Sequence, residues 1–198
     1  MNINKTKHST ETLSHEVLRE PSITDGVAVN RLVSACPPLD NNSTYCNLLQ
    51  CMHFAKTSCL LELDGVVVGF ISGYLLPDKP DTLFVWQIAI DKSARKKGYA
   101  RKMLLKILQH AICKNVRYME TTITKSNEAS WGMFIKFANE LNSRYSESQQ
   151  FSRTTHFADE HDDEYLLSIG PFNSGGKQTS PVPPYIEQLY TEVFNENI

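Results

Sequence analysis

The chain has 198 residues, of which 41% are hydrophobic and 21% are charged, and its formal net charge is −2. This length fits one domain of roughly 100 to 200 residues, and the composition is typical of globular proteins rather than disordered, collagen-like or membrane proteins. Because 20 Lys and Arg residues nearly balance 22 Asp and Glu residues, no protein-wide positive field is available to hold nucleic acid. Any anion-binding site must therefore be local.

Signals for secretion or for insertion into a membrane are weak in this sequence. The longest apolar stretch, residues 65–76, is far shorter than the roughly 20 residues that cross a bilayer, and the first residues lack a signal-peptide core. The 5 cysteines include no Cys-x-x-Cys pair, which indicates reduced thiols rather than a disulfide framework or a zinc site. We therefore expect a cytoplasmic protein with no membrane partner, no nucleic-acid partner and no metal.

The first half of the chain predicts two helices followed by three strands. Residues 1–14 are polar without an apolar period and are expected to form a disordered lead. Ser22 can cap a helix that Pro37-Pro38 ends, and a second helix is expected over 43–55. The strand-like runs are 58–63, 66–75 and 82–90, and Asp64-Gly65 predicts a hairpin between the first two. The third run is apolar on both faces and predicts a central strand.

The second half alternates helices and strands. Apolar residues from Met103 to Ile112 recur at three- and four-residue intervals, which predicts a helix beginning near Ala100. A strand over 118–124, a helix over 127–141 and a strand over 165–169 follow, whereas 173–198 has the composition of a linker with a short appendage. This order predicts an α/β domain over 15–172 with a mixed sheet.

A basic loop joins the predicted central strand to the helix that follows it. Its sequence is Arg95-Lys96-Lys97-Gly98-Tyr99-Ala100, followed by Arg101, and Gly98 leaves room for close approach of a ligand. Backbone N–H groups at a helix N-terminus favour phosphate, and the basic side chains add positive charge. The alternative interpretation is a solvated basic surface.

At this position the loop resembles the coenzyme A loop of the GNAT superfamily, whose pattern is Arg/Gln-x-x-Gly-x-Gly/Ala. The resemblance implies a GNAT fold, with a mostly antiparallel central sheet flanked by helices and splayed at the acetyl-CoA site. It also implies that Ile88, Ala89 and Ile90 lie along the pantetheine arm, and that Asn127 begins a helix beside it. Many relatives carry a Tyr thought to protonate the thiolate where this chain has Phe134, which leaves that proton donor unassigned.

Four further segments narrow the resemblance to acetyltransferases that act on one class of amine. Residues 37–46, 80–87, 120–130 and 169–172 are similar to those of the L-2,4-diaminobutyrate acetyltransferases of ectoine biosynthesis. The resemblance covers about residues 16–172. It implies acetylation of the 4-amino group of a small diamino acid, with acetyl-CoA as co-substrate, by a homodimer.

Candidate groups for the amine side follow from the chemistry. An alkylammonium with a pKa of about 10.4 must lose a proton before it attacks, so a nearby carboxylate is useful as a base. Glu120, in the middle of a strand, and Asp40, in a loop, are the candidates, although Asp40 also fits ordinary turn chemistry. With the resemblance, Tyr45, Trp86 and His161 are further candidates for binding the substrate.

Several alternatives remain open at the level of sequence. The chain could act on another amine, bind acyl-CoA without catalysis as a sensor, or bind nucleic acid through residues 95–102. Cys46 and His53 could form a nucleophile and its base, although a buried cysteine is more often a small hydrophobic residue. We expect direct transfer from acetyl-CoA to the amine without an acetyl-enzyme.

Overall fold

The computed structural model describes residues 15–172, so the predicted lead over 1–14 and the appendage over 173–198 lie outside the described residues. The strands are β1 (Glu16–Arg19), β2 (Cys59–Leu63), β3 (Val66–Leu76), β4 (Lys79–Ile90), β5 (Tyr118–Thr124), β6 (Tyr145–Phe151) and β7 (Glu164–Ile169). The helices are α1 (Gly26–Ser34), α2 (Thr44–His53), α3 (Tyr99–Leu108), α4 (Glu128–Glu140) and α5 (Arg153–Phe157). No helix within these 158 residues is long and apolar enough to cross a membrane.

The strands form one sheet in the order β1-β2-β3-β4-β5-β7-β6. Every neighbouring pair is antiparallel except β4 and β5, which run parallel. This arrangement confirms the predicted mixed, mostly antiparallel sheet, and it places β4 in the centre as its apolar faces predict. The hairpin at Asp64-Gly65 is also confirmed, because both residues adopt the positive φ that such a turn requires.

Two hydrophobic cores cover the two faces of the sheet. The larger core is filled by α3 and α4, with Leu104 and Phe137 among its buried residues. The smaller core is filled by α1, where Val29 and Val33 contact Phe70 on β3. The sheet is therefore a central layer, and a ligand that reaches both faces must pass between strands.

The parallel pairing of β4 with β5 is short. Thr82 lies opposite Tyr118, Leu83 opposite Met119 and Phe84 opposite Glu120, and the pairing then ends. From Val85 to Ile90, β4 continues to pair with β3 on its other edge. The two strands therefore separate and leave a gap in the middle of the sheet.

A bulge in β4 lies immediately beyond this point. Ser72 lies opposite Gln87 and Gly73 lies opposite Val85, so Trp86 is an extra residue in the ladder. The bulge shifts the alternation of side chains, with Val85 and Ile88 contacting the α3–α4 core and Ala89 contacting the α1 core. Gly73 is required here because a Cβ at this position would lie 2.8 Å from the carbonyl oxygen of Phe84.

The structure departs from the predicted elements in two respects. The sequence did not reveal β1, β6 or α5: β1 has 4 residues, α5 has 5, and all 7 residues of β6 are exposed, so none of them carries an apolar period. The predicted helix from Ala100 to Ile112 ends at Leu108. There His110 turns to an extended conformation, and its Nδ1 accepts the N–H of Ile112, which starts a separate turn.

Candidate active site

A cavity of about 560 Å³ lies between the end of β4, the loop before α3 and the start of α4. Most of the residues predicted to bind the cofactor contribute to its lining. These are Ile88, Ile90, Arg95, Lys96, Gly98, Tyr99, Ala100, Arg101 and Asn127. Ala89 is buried in the α1 core, and the lining does not include Lys97.

The basic loop reaches α3 through two left-handed residues. Lys96 has φ 63° and Gly98 has φ 77°, and Gly98 is the N-cap of α3. The first intrahelical bond runs from the N–H of Lys102 to the carbonyl of Gly98, so the N–H groups of the preceding turn have no helical partner. These donors lie at the positive end of the helix dipole and can hold a phosphate.

The basic side chains of this loop are not equivalent. Arg95 donates from Nε to the carbonyl oxygen of Ile90 at 2.9 Å, and Arg101 forms an ion pair with Glu140 of α4. Within residues 15–172, Lys96 and Lys97 make no ion pair, so their charges are available to a ligand. Arg95 and Arg101 instead fix the two ends of the loop to β4 and α4.

The backbone of β4 faces the gap at alternate residues. Asp91 donates its N–H to Val68 on β3, so the backbone groups of Ile90 and Ile88 point the other way, towards β5. The Ile90 carbonyl is already engaged by Arg95 Nε and by Cys36 Sγ at 3.3 Å. The N–H and C=O of Ile88 and the N–H of Ile90 therefore face the gap and could pair with an extended amide chain.

A cluster of titratable side chains is formed by Asp40, His161 and Glu164. His161 Nε2 lies 3.8 Å from Asp40 Oδ2 and 3.9 Å from Glu164 Oε1, too far for direct hydrogen bonds. His161 Nδ1 lies 2.7 Å from the carbonyl oxygen of Asp162, which can only accept, so Nδ1 carries a proton. Nε2 and the two carboxylates can therefore receive a further donor between them.

Glu164, the first residue of β7, is the member of this cluster that sequence reasoning missed. Burial raises the pKa of this carboxyl, although the positive charge that His161 carries when it is protonated, and a hydrogen bond with Thr122, act to lower it. Its Oε2 is buried and has no hydrogen-bond partner among the described residues. A buried carboxylate oxygen without a donor is costly, and a cationic ligand would satisfy it.

Glu120 lies at the last paired position of β5, opposite Phe84, where the gap begins. The residue is 7% exposed, and its Oε1 lies 3.1 Å from Nζ of Lys79. Glu164 lies opposite Thr124 in the ladder between β5 and β7, and alternate residues of a strand share a face, so Glu120, Thr124 and Glu164 project on the same side of the sheet. The sheet thus brings the predicted Glu120 and the unpredicted Glu164 to one face.

The structure places the remaining predicted substrate residues at different depths. Asp40 has an 82% exposed side chain, and its loop is tied to β4 because Gln87 Nε2 donates to the Asp40 carbonyl at 3.5 Å. Trp86, in the β4 bulge, packs edge-on against Phe54 at a centroid distance of 6.4 Å. Tyr45 is 69% exposed in the first turn of α2, and within the described chain it makes no ring contact with Trp86.

Two other residues from the sequence analysis do not form a catalytic group. Cys46 and His53 are seven residues apart on α2, or roughly 10 Å along the helix, and burial raises the pKa of the Cys46 thiol. Both features disfavour an activated thiolate.

Phe134 is buried in the α3–α4 core. Residues 15–172 contain no group of three His, Cys, Asp or Glu side chains that could hold a metal.

The conformation of Gly98 gives a matched test of the phosphate loop. Gly98 at φ 77° and Gly65 at φ 79° both have open space where a Cβ would lie, so alanine introduces only backbone strain, of roughly 1 to 2 kcal/mol at each. We expect similar stability losses in Gly98→Ala and Gly65→Ala. Only Gly98→Ala should weaken CoA binding, by about tenfold, because its methyl group faces the cavity. Titration calorimetry with CoA measures both, and equal Kd values in the two variants would contradict the assignment of the loop.

Comparison with known proteins agrees with this geometry. The model of the acetyltransferase (GNAT) family matches residues 28–138. An L-2,4-diaminobutyric acid acetyltransferase of Methylotuvimicrobium alcaliphilum is 45% identical over 157 residues, which cover 79% of this chain and 91% of that protein. A protein of the same name from Bordetella parapertussis is 47% identical over 156 residues, covering 78% of this chain and 84% of the relative.

Solved structures show the same relationship. Diaminobutyrate acetyltransferase EctA from Paenibacillus lautus, in complex with L-2,4-diaminobutyric acid and coenzyme A, is similar with a TM-score of 0.78 and 37% identity over 83% of this chain and 99% of that one. Ard1 from Thermoplasma volcanium, at 16% identity and a TM-score of 0.62 over 78% of this chain and 97% of that one, shares the fold. This chain belongs to the acetyltransferase (GNAT) family and, within it, to the L-2,4-diaminobutyric acid acetyltransferases.

Proposed function

We propose that this protein transfers the acetyl group of acetyl-CoA directly to the 4-amino group of L-2,4-diaminobutyrate. One observation carries the proposal: a single gap between β4 and β5 separates a phosphate-binding cavity from a cluster of carboxylates. The names of the relatives support the choice of substrate. The 4-amino position comes from the family resemblance, because residue types alone do not distinguish the two amines.

On the donor side, the loop before α3 would hold the pyrophosphate of acetyl-CoA. The free N–H groups at the start of α3 and the side chain of Lys96 provide the contacts. The pantetheine arm would then enter the gap and pair with the backbone of Ile88. Asn127 caps α4 by accepting from the N–H of Ser130 at 3.2 Å, and both residues line the same cavity. This arrangement directs the thioester towards the opposite face of the sheet.

On the acceptor side, Asp40, His161 and Glu164 would bind the ammonium that is acetylated. The buried Oε2 of Glu164 lacks a donor, and His161 Nε2 lies between the two carboxylates, so an ammonium at this point would complete the hydrogen bonding. Removing a proton from an ammonium with a pKa of about 10.4 costs roughly 5 kcal/mol at pH 7. Glu164 and His161 are candidates for the base, together with Glu120 and Asp40.

The reaction then follows from the positions of these groups. The free amine attacks the thioester carbonyl carbon, and a backbone N–H of the central strand β4 stabilises the oxyanion. The C–S bond breaks, coenzyme A leaves as a thiolate that takes up a proton, and the amide nitrogen loses its second proton. Bringing both substrates together in the gap supplies the effective concentration that direct transfer requires.

A homodimer and a cytoplasmic location are part of the proposal. The homodimer follows from the resemblance, and β6 supports it because this outermost strand is exposed along its whole length and carries the exposed aromatic residues Tyr145 and Phe151. A reducing compartment fits the 5 cysteines, all of which carry free thiols.

The function is tested by identifying the product. With L-2,4-diaminobutyrate and acetyl-CoA, we expect stoichiometric release of CoA and one acetyl group on the 4-nitrogen, assigned by NMR. A panel of other amino acids and polyamines should react at least tenfold more slowly. Faster turnover of another amine would replace the substrate, and CoA binding without turnover on any amine would favour a sensor.

Glu164 is tested by its neutral isostere. Glu164→Gln removes the charge opposite the ammonium, and we expect kcat/KM for diaminobutyrate to fall about 10- to 100-fold. Because burial raises the pKa of Glu164, wild-type kcat/KM should rise with pH through a range above that of an ordinary glutamate, and this limb should disappear in the variant. The control is Glu160→Gln, at an exposed residue of the loop that precedes β7. An unchanged acid limb in Glu164→Gln would exclude this role.

The oligomeric state is tested by light scattering coupled to size-exclusion chromatography. We expect a mass of twice the 22.5 kDa of one chain. Because β6 is proposed to contribute to the interface, Tyr145→Glu together with Phe151→Glu should shift the mass towards the monomer. A monomeric wild-type protein would contradict the homodimer.

A further inference from the structure

The proposed amine site still lacks a positive charge opposite the carboxylate of the substrate. Diaminobutyrate carries two ammonium groups and one carboxylate at neutral pH. The carboxyl groups of Asp40, Glu120 and Glu164 can receive ammonium groups, but they repel a carboxylate. A site that selects an amino acid over a simple diamine needs a cation close to these three groups.

Lys79 is the cation that the structure places beside Glu120. The ladder between β3 and β4 shifts register between Leu75 and Leu76, so that Leu75 lies opposite Leu83 whereas Leu76 lies opposite Lys79. The additional residues of β4 allow Lys79 to turn back towards β5, where its Nζ lies 3.1 Å from Glu120 Oε1.

The two partners in this ion pair differ in burial. The Lys79 side chain is 56% exposed, whereas the Glu120 side chain is 10% exposed. A long, exposed lysine anchored on a buried carboxylate keeps N–H donors free for a second acceptor, because an ammonium has three donors. Glu120 also holds Nζ at the start of the gap, which a mobile surface lysine would not do.

The spacing along β5 fits a four-carbon diamino acid. Glu120 and Thr124 are four residues apart on one face of β5, which corresponds to roughly 13 Å, and Glu164 of β7 lies opposite Thr124. In diaminobutyrate, four bonds of about 1.5 Å separate the 4-nitrogen from the carboxylate carbon, roughly 5 Å in extended form. The side chains of Glu120 and Glu164 and a hydrogen bond of about 3 Å at each end span the remaining distance, so a substrate whose 4-amino group lies at Glu164 can place its carboxylate near Lys79.

We propose that Lys79 is the specificity residue that binds the substrate carboxylate, with Glu120 holding the lysine and receiving the 2-ammonium group. The proposal rests on the proposed function, since it assumes that a diamino acid occupies this site. In this arrangement each charged group of the substrate has an opposite charge beside it. The site would then favour an α-amino acid over the same diamine without its carboxylate.

The experiment compares diaminobutyrate with 1,3-diaminopropane, which is the same molecule without the carboxylate. Lys79→Met keeps an unbranched side chain of nearly the same length and removes its charge. We expect kcat/KM for diaminobutyrate to fall about 10- to 100-fold in this variant, as for loss of a charge-assisted hydrogen bond. For 1,3-diaminopropane, kcat/KM, or Ki where it only inhibits, should change less than about threefold. Lys79→Arg should restore most of the activity on diaminobutyrate.

The control variant is Lys125→Met. Lys125 has a similarly exposed side chain and forms an ion pair with Glu147 at 2.9 Å, so it reports the general cost of losing such a lysine. Thermal unfolding and CoA titration of each variant show whether the fold and the donor site survive. If Lys79→Met fails to fold, Lys79→Gln takes its place in the same comparison.

Two results would overturn the role of Lys79. An equal loss with both amines would mean that the lysine only positions Glu120, and no loss with either would mean that it does not contact the substrate. The wild-type protein provides the separate test of function: failure to acetylate diaminobutyrate at all would refute the proposed activity, whichever variant is used. A collapse of the preference for diaminobutyrate confined to Lys79→Met supports the proposal.

Discussion

Parallel pairing between β4 and β5 lasts for three residue pairs, and the rest of the site depends on where it stops. A strand in the middle of a sheet normally has both edges hydrogen-bonded, and buried backbone groups without partners are costly. From Val85 onwards β4 keeps only β3 as a partner, so its free edge must be satisfied by solvent or by a ligand. A ligand with its own amide groups is well suited to this edge. The backbone groups left unpaired where the strands separate can therefore hydrogen-bond an extended ligand.

The gap also separates charges of opposite sign. The loop before α3 and the N-terminus of α3 provide positive potential in the cavity, whereas Asp40, Glu120 and Glu164 provide negative charge around the other end of the gap. The net charge of −2 does not reveal this separation of positive and negative groups. Phosphates and an alkylammonium are attracted to different ends, so the two substrates do not compete for one place. In the proposed reaction, their reacting groups meet where the strands begin to separate.

The sequence predicts the parts of this arrangement that depend on local pattern. The apolar faces of β4, the three- and four-residue spacing in α3 and the glycine before it are all visible in the chain, because burial requires those residue types. It does not predict β6, since an exposed edge strand has no buried face. Glu164 is hidden in an acidic run and becomes distinctive only through the burial that β7 imposes. Lys79 reaches Glu120 through a register shift, and residue types do not encode such a shift.

The position of Phe134 limits which groups can take part in the proton transfers of the proposed reaction. This ring is buried in the α3–α4 core, and it cannot donate a proton to the departing sulfur. A thiol has a pKa of about 8.5, against about 10.4 for the attacking amine, so the thiolate is the better leaving group even when no acid assists it. The nitrogen becomes acidic once it has attacked, and its second proton can pass to the thiolate or to water. The protein must therefore provide a base for the first proton, which the ammonium loses before the amine attacks. In the proposed reaction this proton is released beside the buried Glu164 carboxyl and the other candidate bases, which accounts for the charged groups on the acceptor side of the gap.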